Sequence, residues 1–169
     1  MKILRVLSAD ADETLAQRVR DAVASFNRGL DIRLRFLSIV VEDRELFVDD
    51  AESAAAAVGA ALAADAPAIV LVQGDDTAAL AAATLAARGE RVVAHLGAGS
   101  RSGPHADVAR AIDRICGLLL AVGDGAHERL AEEGLGARAV RLVDGPEIGN
   151  QVIKAVRAER VRRRGDATC

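Results

Sequence analysis

Ala68-Ile69-Val70-Leu71-Val72-Gln73-Gly74-Asp75-Asp76-Thr77 decides the fold of this chain, with its sequel Val92-Val93-Ala94-His95-Leu96-Gly97-Ala98-Gly99-Ser100-Arg101-Ser102-Gly103. Each half is a short, continuously apolar run that stops at a glycine-bearing polar loop. A strand of a parallel sheet, covered by helices on both faces, ends in this way, whereas a strand with one wet face alternates. Ligands of such sheets bind at the loops that follow the strands, so a site is expected after Val72 and after Leu96.

Working towards the N-terminus, Lys2-Ile3-Leu4-Arg5-Val6-Leu7 reads as a strand, followed by the loop Ser8-Ala9-Asp10-Ala11 and a helix to about Phe26. Leu15, Val19, Ala22, Val23 and Phe26 recur at helical spacing, and Asp12 and Glu13 sit where the helix dipole favours negative charge. Asn27-Arg28-Gly29 is expected to close that helix. Ile32, Leu34 and Phe36 alternate with Arg33 and Arg35, which predicts a strand over 31–41, and Glu45 to Val48 reads as a short edge strand. Asp50 to Ala64 is an alanine-rich helix with little side-chain bulk. Towards the C-terminus, a helix is expected over 76–88 with Gly89 as its cap, and a strand over 91–96. A helix between Pro104 and Ile115, a strand over 118–122, a helix over 125–133, a strand over 139–143 and a final helix from about Pro146 to Arg164 complete the pattern. Six to seven strands alternating with helices predict a single doubly wound, Rossmann-like α/β domain with a mostly parallel sheet, spanning 1–164, and a polar tail at 165–169.

The 169 residues are 51% hydrophobic and 28% charged, enough for one well-buried core and short for two domains. A net charge of -3 offers no general attraction to nucleic acid or to an anionic membrane. The one basic concentration, Arg157, Arg160, Arg162, Arg163 and Arg164, suits the negative end of a helix. No apolar run approaches the roughly 20 residues that cross a bilayer, and Met1-Lys2-Ile3 enters a strand without the layout of a signal peptide, so a cytoplasmic protein is expected. Cys116 lies in an apolar stretch and Cys169 at the terminus, with neither metal-site spacing nor a disulfide framework. No metal or cofactor is expected.

Polar residues of the two loops carry the functional reading. In the usual doubly wound order the strand ending at Leu7 lies beside the one ending at Val72, which would gather Asp10, Asp12, Asp75 and Asp76 at one switch point. Capping of the following helix accounts for Asp75 or Asp76 equally well, and His95 at the end of an apolar strand has the character of a hydrogen-bonded core histidine. Gly97, Gly99 and Gly103 could present backbone N–H groups to a phosphate, or simply permit a tight strand-to-helix connection. The acidic residues superficially imitate a response-regulator receiver domain, but Gly123 and Asp124 stand where a lysine should follow the strand over 118–122.

Leu71-Val72-Gln73-Gly74-Asp75, the run His95 to Gly103, Glu128-Arg129-Leu130 with Glu132-Glu133-Gly134, and Val143-Asp144-Gly145 resemble the N-terminal domain of the non-hydrolysing UDP-N-acetylglucosamine 2-epimerases. These are two-domain enzymes of the glycosyltransferase-B architecture. The most specific element is the His-x-x-Ala-Gly-x-Arg-x-Gly run. The resemblance extends from Ile69 to about Gly149 and more weakly from Met1. It implies a catalytic cleft between this domain and a second one lying beyond the end of the sequence, a catalytic role for Asp75, and substrate binding by His95, Gly97, Gly99, Ser100 and Arg101.

Departures from the family pattern fall where chemistry is expected. The family's acidic residue two places after the histidine is Gly97, its paired glutamates after a proline are His105 and Ala106, and the arginine that follows is Ala109. In the first loop Ser8-Ala9-Asp10-Ala11-Asp12 replaces Gly-Thr-Arg-Pro-Glu, turning a basic position acidic. Epimerisation needs positioned acid–base groups, which glycine and alanine cannot supply. The expectation is a truncated, non-catalytic relative that acts by self-association or as the partner of a sugar-nucleotide enzyme. A sugar-nucleotide-binding or isomerase subunit completed by another chain is the alternative. The resembled enzymes pair through their N-terminal domains, so a homodimer on the helices over 50–64 and 76–88 is expected.

Overall fold

The computed structural model describes residues 2–33, 42–65, 67, 69–101, 104–123, 125–137, 139–143, 145 and 147–166. Six strands and six helices alternate: β1 (Lys2–Ser8), α1 (Glu13–Arg33), β2 (Glu42–Val48), α2 (Ala51–Asp65), β3 (Ile69–Gln73), α3 (Thr77–Arg88), β4 (Val92–Ala98), α4 (Ala106–Ile115), β5 (Leu118–Val122), α5 (Ala126–Glu132), β6 (Ala139–Val143) and α6 (Ile148–Asp166). They form one sheet in the order β2-β1-β3-β4-β5-β6, and every neighbouring pair is parallel. The doubly wound α/β expectation therefore holds. The order reverses between β1 and β3, which puts the switch point where the loops after Ser8 and Gln73 meet.

Two apolar layers enclose the sheet. On one face α1 and α6 bring Leu15, Val19, Val23, Ile148, Val152 and Val156 onto Ile3, Leu71, Leu96 and Leu120. On the other, α2, α3, α4 and α5 cover Leu4, Val6, Val70, Val72, Val93 and Leu119. With both faces covered, β3 is buried at every residue, which explains why its sequence runs apolar without alternation. α3 meets this layer through alanines: Ala78, Ala79, Ala82, Ala83 and Ala86 are all fully buried. Small side chains let the helix backbone lie close to the sheet and to α2. Cys116 is the expected core thiol, buried and outside any disulfide.

Three expectations change. Asn27-Arg28-Gly29 does not close α1, which continues to Arg33, so Asp31 to Arg33 are helical; the remainder of the strand expected over 31–41 lies outside the described residues. One interior glycine costs a helix only about 1 kcal/mol, a weak stop. The edge strand expected at 45–48 is present as the longer β2, and the strands among the described residues number six. Finally, α6 reaches Asp166, two residues into the expected tail, and 167–169 lie outside the described residues.

Candidate functional site

The loop after β1 and the loop after β3 are built around each other. Asp12 caps α1, its Oδ1 accepting from the Leu15 N–H at 3.0 Å, and its carbonyl accepts from Gln73 Nε2 at 2.7 Å. Ser8 Oγ donates to Asp10 Oδ1 at 2.7 Å, and both Asp10 oxygens accept from the Asp75 backbone N–H at 3.1 Å. Gly74, at φ +119°, makes this approach feasible: a Cβ there would lie 1.8 Å from Ser8 Oγ and 2.5 Å from Asp10 Oδ1. Asp76 is the N-cap of α3, accepting from the Ala79 N–H at 2.9 Å. Capping thus accounts for Asp12 and Asp76, but not for Asp75.

The Asp75 side chain turns instead towards β4. His95 is completely buried there, with Nε2 3.5 Å from Asp75 Oδ1 and Nδ1 2.6 Å from Asp113 Oδ1. Among the described residues neither Asp75 Oδ1 nor His95 Nε2 has a hydrogen-bond partner, although both atoms are buried. Asp113, on α4, has no solvent exposure; its Oδ2 accepts from the Gly99 N–H at 3.1 Å and from Arg101 Nη2 at 2.8 Å. Arg101 also grips Glu133 with Nε and Nη2, and Arg110 Nε donates to the same carboxylate at 3.0 Å. From His95 a hydrogen-bonded chain runs through Asp113, Arg101 and Glu133 to Arg110, with Asp75 3.5 Å from its His95 end.

The charges set the acid strengths along it. Burial raises Asp75 above the usual carboxylate range, opposed by His95 and reinforced by Asp10 and Asp113. Burial pushes the same way on Asp113, but the hydrogen bond and charge of His95, then Arg101 and the Gly99 N–H, leave it lowered. The Arg101 hydrogen bond, assisted by Arg110, brings Glu133 down to about 2 from 4.5. A depressed carboxylic acid stabilises the fold above its unfolded pKa, and that contribution disappears as pH falls through the folded value. Stability should therefore decline between about pH 4.5 and about pH 2, and Glu133→Gln should flatten that decline in urea midpoints taken across the window.

A cavity of about 590 Å³ opens at Asp75, lined by Asp10, Asp12, Gln73, Gly74, Asp75, Gly97, Ser100, Pro104, His105 and their apolar neighbours Leu15, Leu96 and Val122. Of the residues expected to form the site, Asp10, Asp12, Asp75, Gly97 and Ser100 line it. Asp76 is committed to its cap, His95 lies beneath the floor, and Arg101 is held in its ion pairs. Gly97 is not loop: at φ +101° it is the extra residue of a register shift between Leu96 and Ala98, a bulge that ends regular pairing beside the cavity. A Cβ on Gly97 would meet nothing within 4 Å. Gly99, by contrast, sits at φ +81° with its Cβ position 2.5 Å from the Ala126 carbonyl oxygen, and Arg129 Nε donates to its own carbonyl at 2.8 Å. Gly99→Ala should cost at least about 1–3 kcal/mol of stability in denaturant melts.

Asp113 and Glu133 escaped the sequence reading as site residues. The available signal was an acid on the inward face of an amphipathic helix, where Ala109, Ile112 and Asp113 are all buried. Among the described residues no group of three or more His, Cys, Asp or Glu side chains is arranged to hold a metal ion, and no helix is long and apolar enough to cross a membrane.

A parallel α/β domain with an acidic switch-point cavity and a buried imidazole–carboxylate–guanidinium chain under its floor is the class of structure these observations define. The chain belongs to the UDP-N-acetylglucosamine 2-epimerase family, whose model matches residues 16–167. Solved structures agree in fold. The UDP-GlcNAc 2-epimerase of Methanocaldococcus jannaschii superposes with a TM-score of 0.66 at 21% identity, over 92% of this chain and 48% of that one. The Neisseria meningitidis UDP-GlcNAc 2-epimerase bound to UDP-GlcNAc gives 0.63 at 15% identity, over 85% and 46%. The S. aureus MnaA–UDP structure gives 0.64 at 16% identity, over 87% and 44%. The chain thus spans about half the length of these enzymes. Comparison with curated proteins returned no match.

Proposed function

We propose that this domain does not epimerise UDP-N-acetylglucosamine by itself and acts through association, with a second copy or with a sugar-nucleotide enzyme that supplies the missing side of its cavity. The observation carrying this reading is the bare wall at Gly97. Asp75 keeps a carboxyl at the cavity, yet the position where the family pattern has an acid carries no side chain, with open space beside it. His105 and Ala106 likewise stand where that pattern has paired glutamates. Proton removal and return at one carbon need groups placed around it, and one carboxyl is not such a set. The Asp75 carboxyl retained at the cavity favours, as a second reading, a binding or isomerase subunit whose site another chain completes.

Association is best accommodated on α2. α3 is spent on the core, whereas Ala55, Ala56, Ala60, Ala63 and Ala64 of α2 are exposed. Light scattering at micromolar concentration should give the mass of two chains, and Ala56→Arg should reduce it to one. A single-chain mass for the unmodified protein would remove self-association and leave the partner enzyme. Calorimetric titration of the isolated chain with UDP in EDTA should detect no micromolar binding, because Asp10 and Asp12 line the cavity with carboxylates that would repel a pyrophosphate entering it. Micromolar affinity would overturn the electrostatic part of the reading.

A further inference from the structure

We propose that the switch-point cavity is a site for a small organic cation, a ligand carrying an ammonium or guanidinium group on a short hydrocarbon stem, with the Asp75 carboxyl as its counter-ion and Asp10 and Asp12 at the mouth. The inference rests on the electrostatic part of the functional reading, that this cavity repels a pyrophosphate, and adds the class of ligand that it attracts.

The lining decides the sign of that ligand. Among the described residues three aspartates line the cavity, and neither lysine nor arginine does. Arg101, in the loop after β4, is committed to Asp113 and Glu133. Hydrogen-bond donors of the two switch-point loops are spent within the fold: the Asp75 N–H and the Ser8 hydroxyl on Asp10, the Leu15 N–H and Gln73 Nε2 on Asp12. What these loops offer a ligand is therefore acceptor oxygens, which a group bringing both donors and positive charge matches. His105, at the start of α4, is the remaining titratable group of the lining.

A second observation is independent of the count of acids. The other acids with little exposure, Glu45, Asp113, Glu133 and Glu159, each pair with an arginine. Asp75 does not. Its side chain is only 26% exposed, its Oδ1 is buried, and no described residue donates a hydrogen bond to that oxygen. Behind it lies His95, with no solvent exposure, whose Nε2 faces this carboxyl from 3.5 Å and is likewise without a partner among the described residues. Buried polar atoms are paired as a rule. Burial already pushes Asp75 above the usual carboxylate range, and a cation beside it offsets that cost.

The cavity also suits the rest of such a ligand. Its volume of about 590 Å³ accommodates a small molecule. Leu15, Leu96, Pro104 and Val122 supply apolar wall for a hydrocarbon stem, and Gly97 leaves open space beside it. Asp10 and Asp12 are exposed, where their charge draws a cation towards the mouth.

Calorimetric titration of the full 169-residue chain with butylammonium, butanol and butanoate tests this, since the ligands share a shape and differ in charge. Butylammonium should saturate in the millimolar range or tighter and bind about tenfold more tightly than butanol, in keeping with hydrogen bonds to a charged group. Its affinity should fall as salt is added, and butanoate should not bind. Asp75→Asn should weaken butylammonium by about tenfold. Asp10→Asn, which keeps an oxygen for the Asp75 N–H, should weaken it by a smaller factor and carries the comparison if Asp75→Asn does not fold. Asp107→Asn, on an exposed acid outside the lining, should change nothing. Butanol or butanoate binding as tightly as butylammonium, no saturable binding of the amine, or an equal loss in Asp107→Asn would overturn the proposal. The two readings fail separately: an amine that does not bind while UDP also stays unbound overturns this inference alone, whereas micromolar UDP binding removes the electrostatic premise beneath it.

Discussion

Asp113→Ala is expected to destabilise the domain by about 3–5 kcal/mol, the range for removing one partner from a buried ionic pair. The side chain has no solvent exposure and anchors three donors from three places: His95 in β4, the Gly99 N–H, and Arg101. Its loss leaves a buried imidazole N–H and a buried backbone N–H without acceptors, each costing about 1–3 kcal/mol. Arg101 still keeps Glu133, which tempers the effect and places the expectation at the lower end. The urea midpoint should fall with an unchanged slope, and a shift worth less than about 0.5 kcal/mol would mean that the pairing is not structural. The neighbouring Asp107→Ala supplies the contrast. Asp107 bonds Arg110 within the exposed side of α4, with its own side chain 96% exposed, and its removal should change little.

The same contrast explains what could be read from the sequence. β3, β4 and β5 announce themselves as unbroken apolar runs because helices cover both sheet faces, and their glycine-bearing ends mark the sheet edge that carries the cavity. The segment after α1 was harder to read: its polar–apolar alternation suggests a strand from Asp31, yet the backbone remains helical to Arg33. Alternation over a few residues is a weak competitor against continuation of a helix already nucleated. Gly97 reads as loop because glycine usually does, whereas here it is the extra residue of a bulge inside β4.

Within the site, Asp75 and His95 stand out in the sequence because each is a polar residue behind an apolar run. Their relation does not. Asp75 comes from the loop after β3 and His95 from the neighbouring β4, and Asp113 returns to His95 only through the turn of the β4–α4 unit. Arg101 illustrates what motif reading leaves out: its place in the His-to-Gly run suggests a ligand contact, and its ion pairs with Asp113 and Glu133, which also hold the buried chain in place, become visible only in the fold. Asp10 and Asp76 also gain meaning only in three dimensions, one accepting from the Asp75 backbone and the other ending α3.

The central proposal is that this domain of the epimerase family, with the Asp75 carboxyl at its cavity but no side chain at Gly97, does not epimerise by itself. Groups acting as a unit lose orders of magnitude when one is removed, so the deficit should be large and not a modest reduction in rate. Incubation of the purified 169-residue chain with UDP-N-acetylglucosamine, followed by NMR for inversion at C2 of the sugar, tests it most directly. The account predicts no conversion above the protein-free control; turnover at about 1 per second or faster, typical of enzymes, would contradict it.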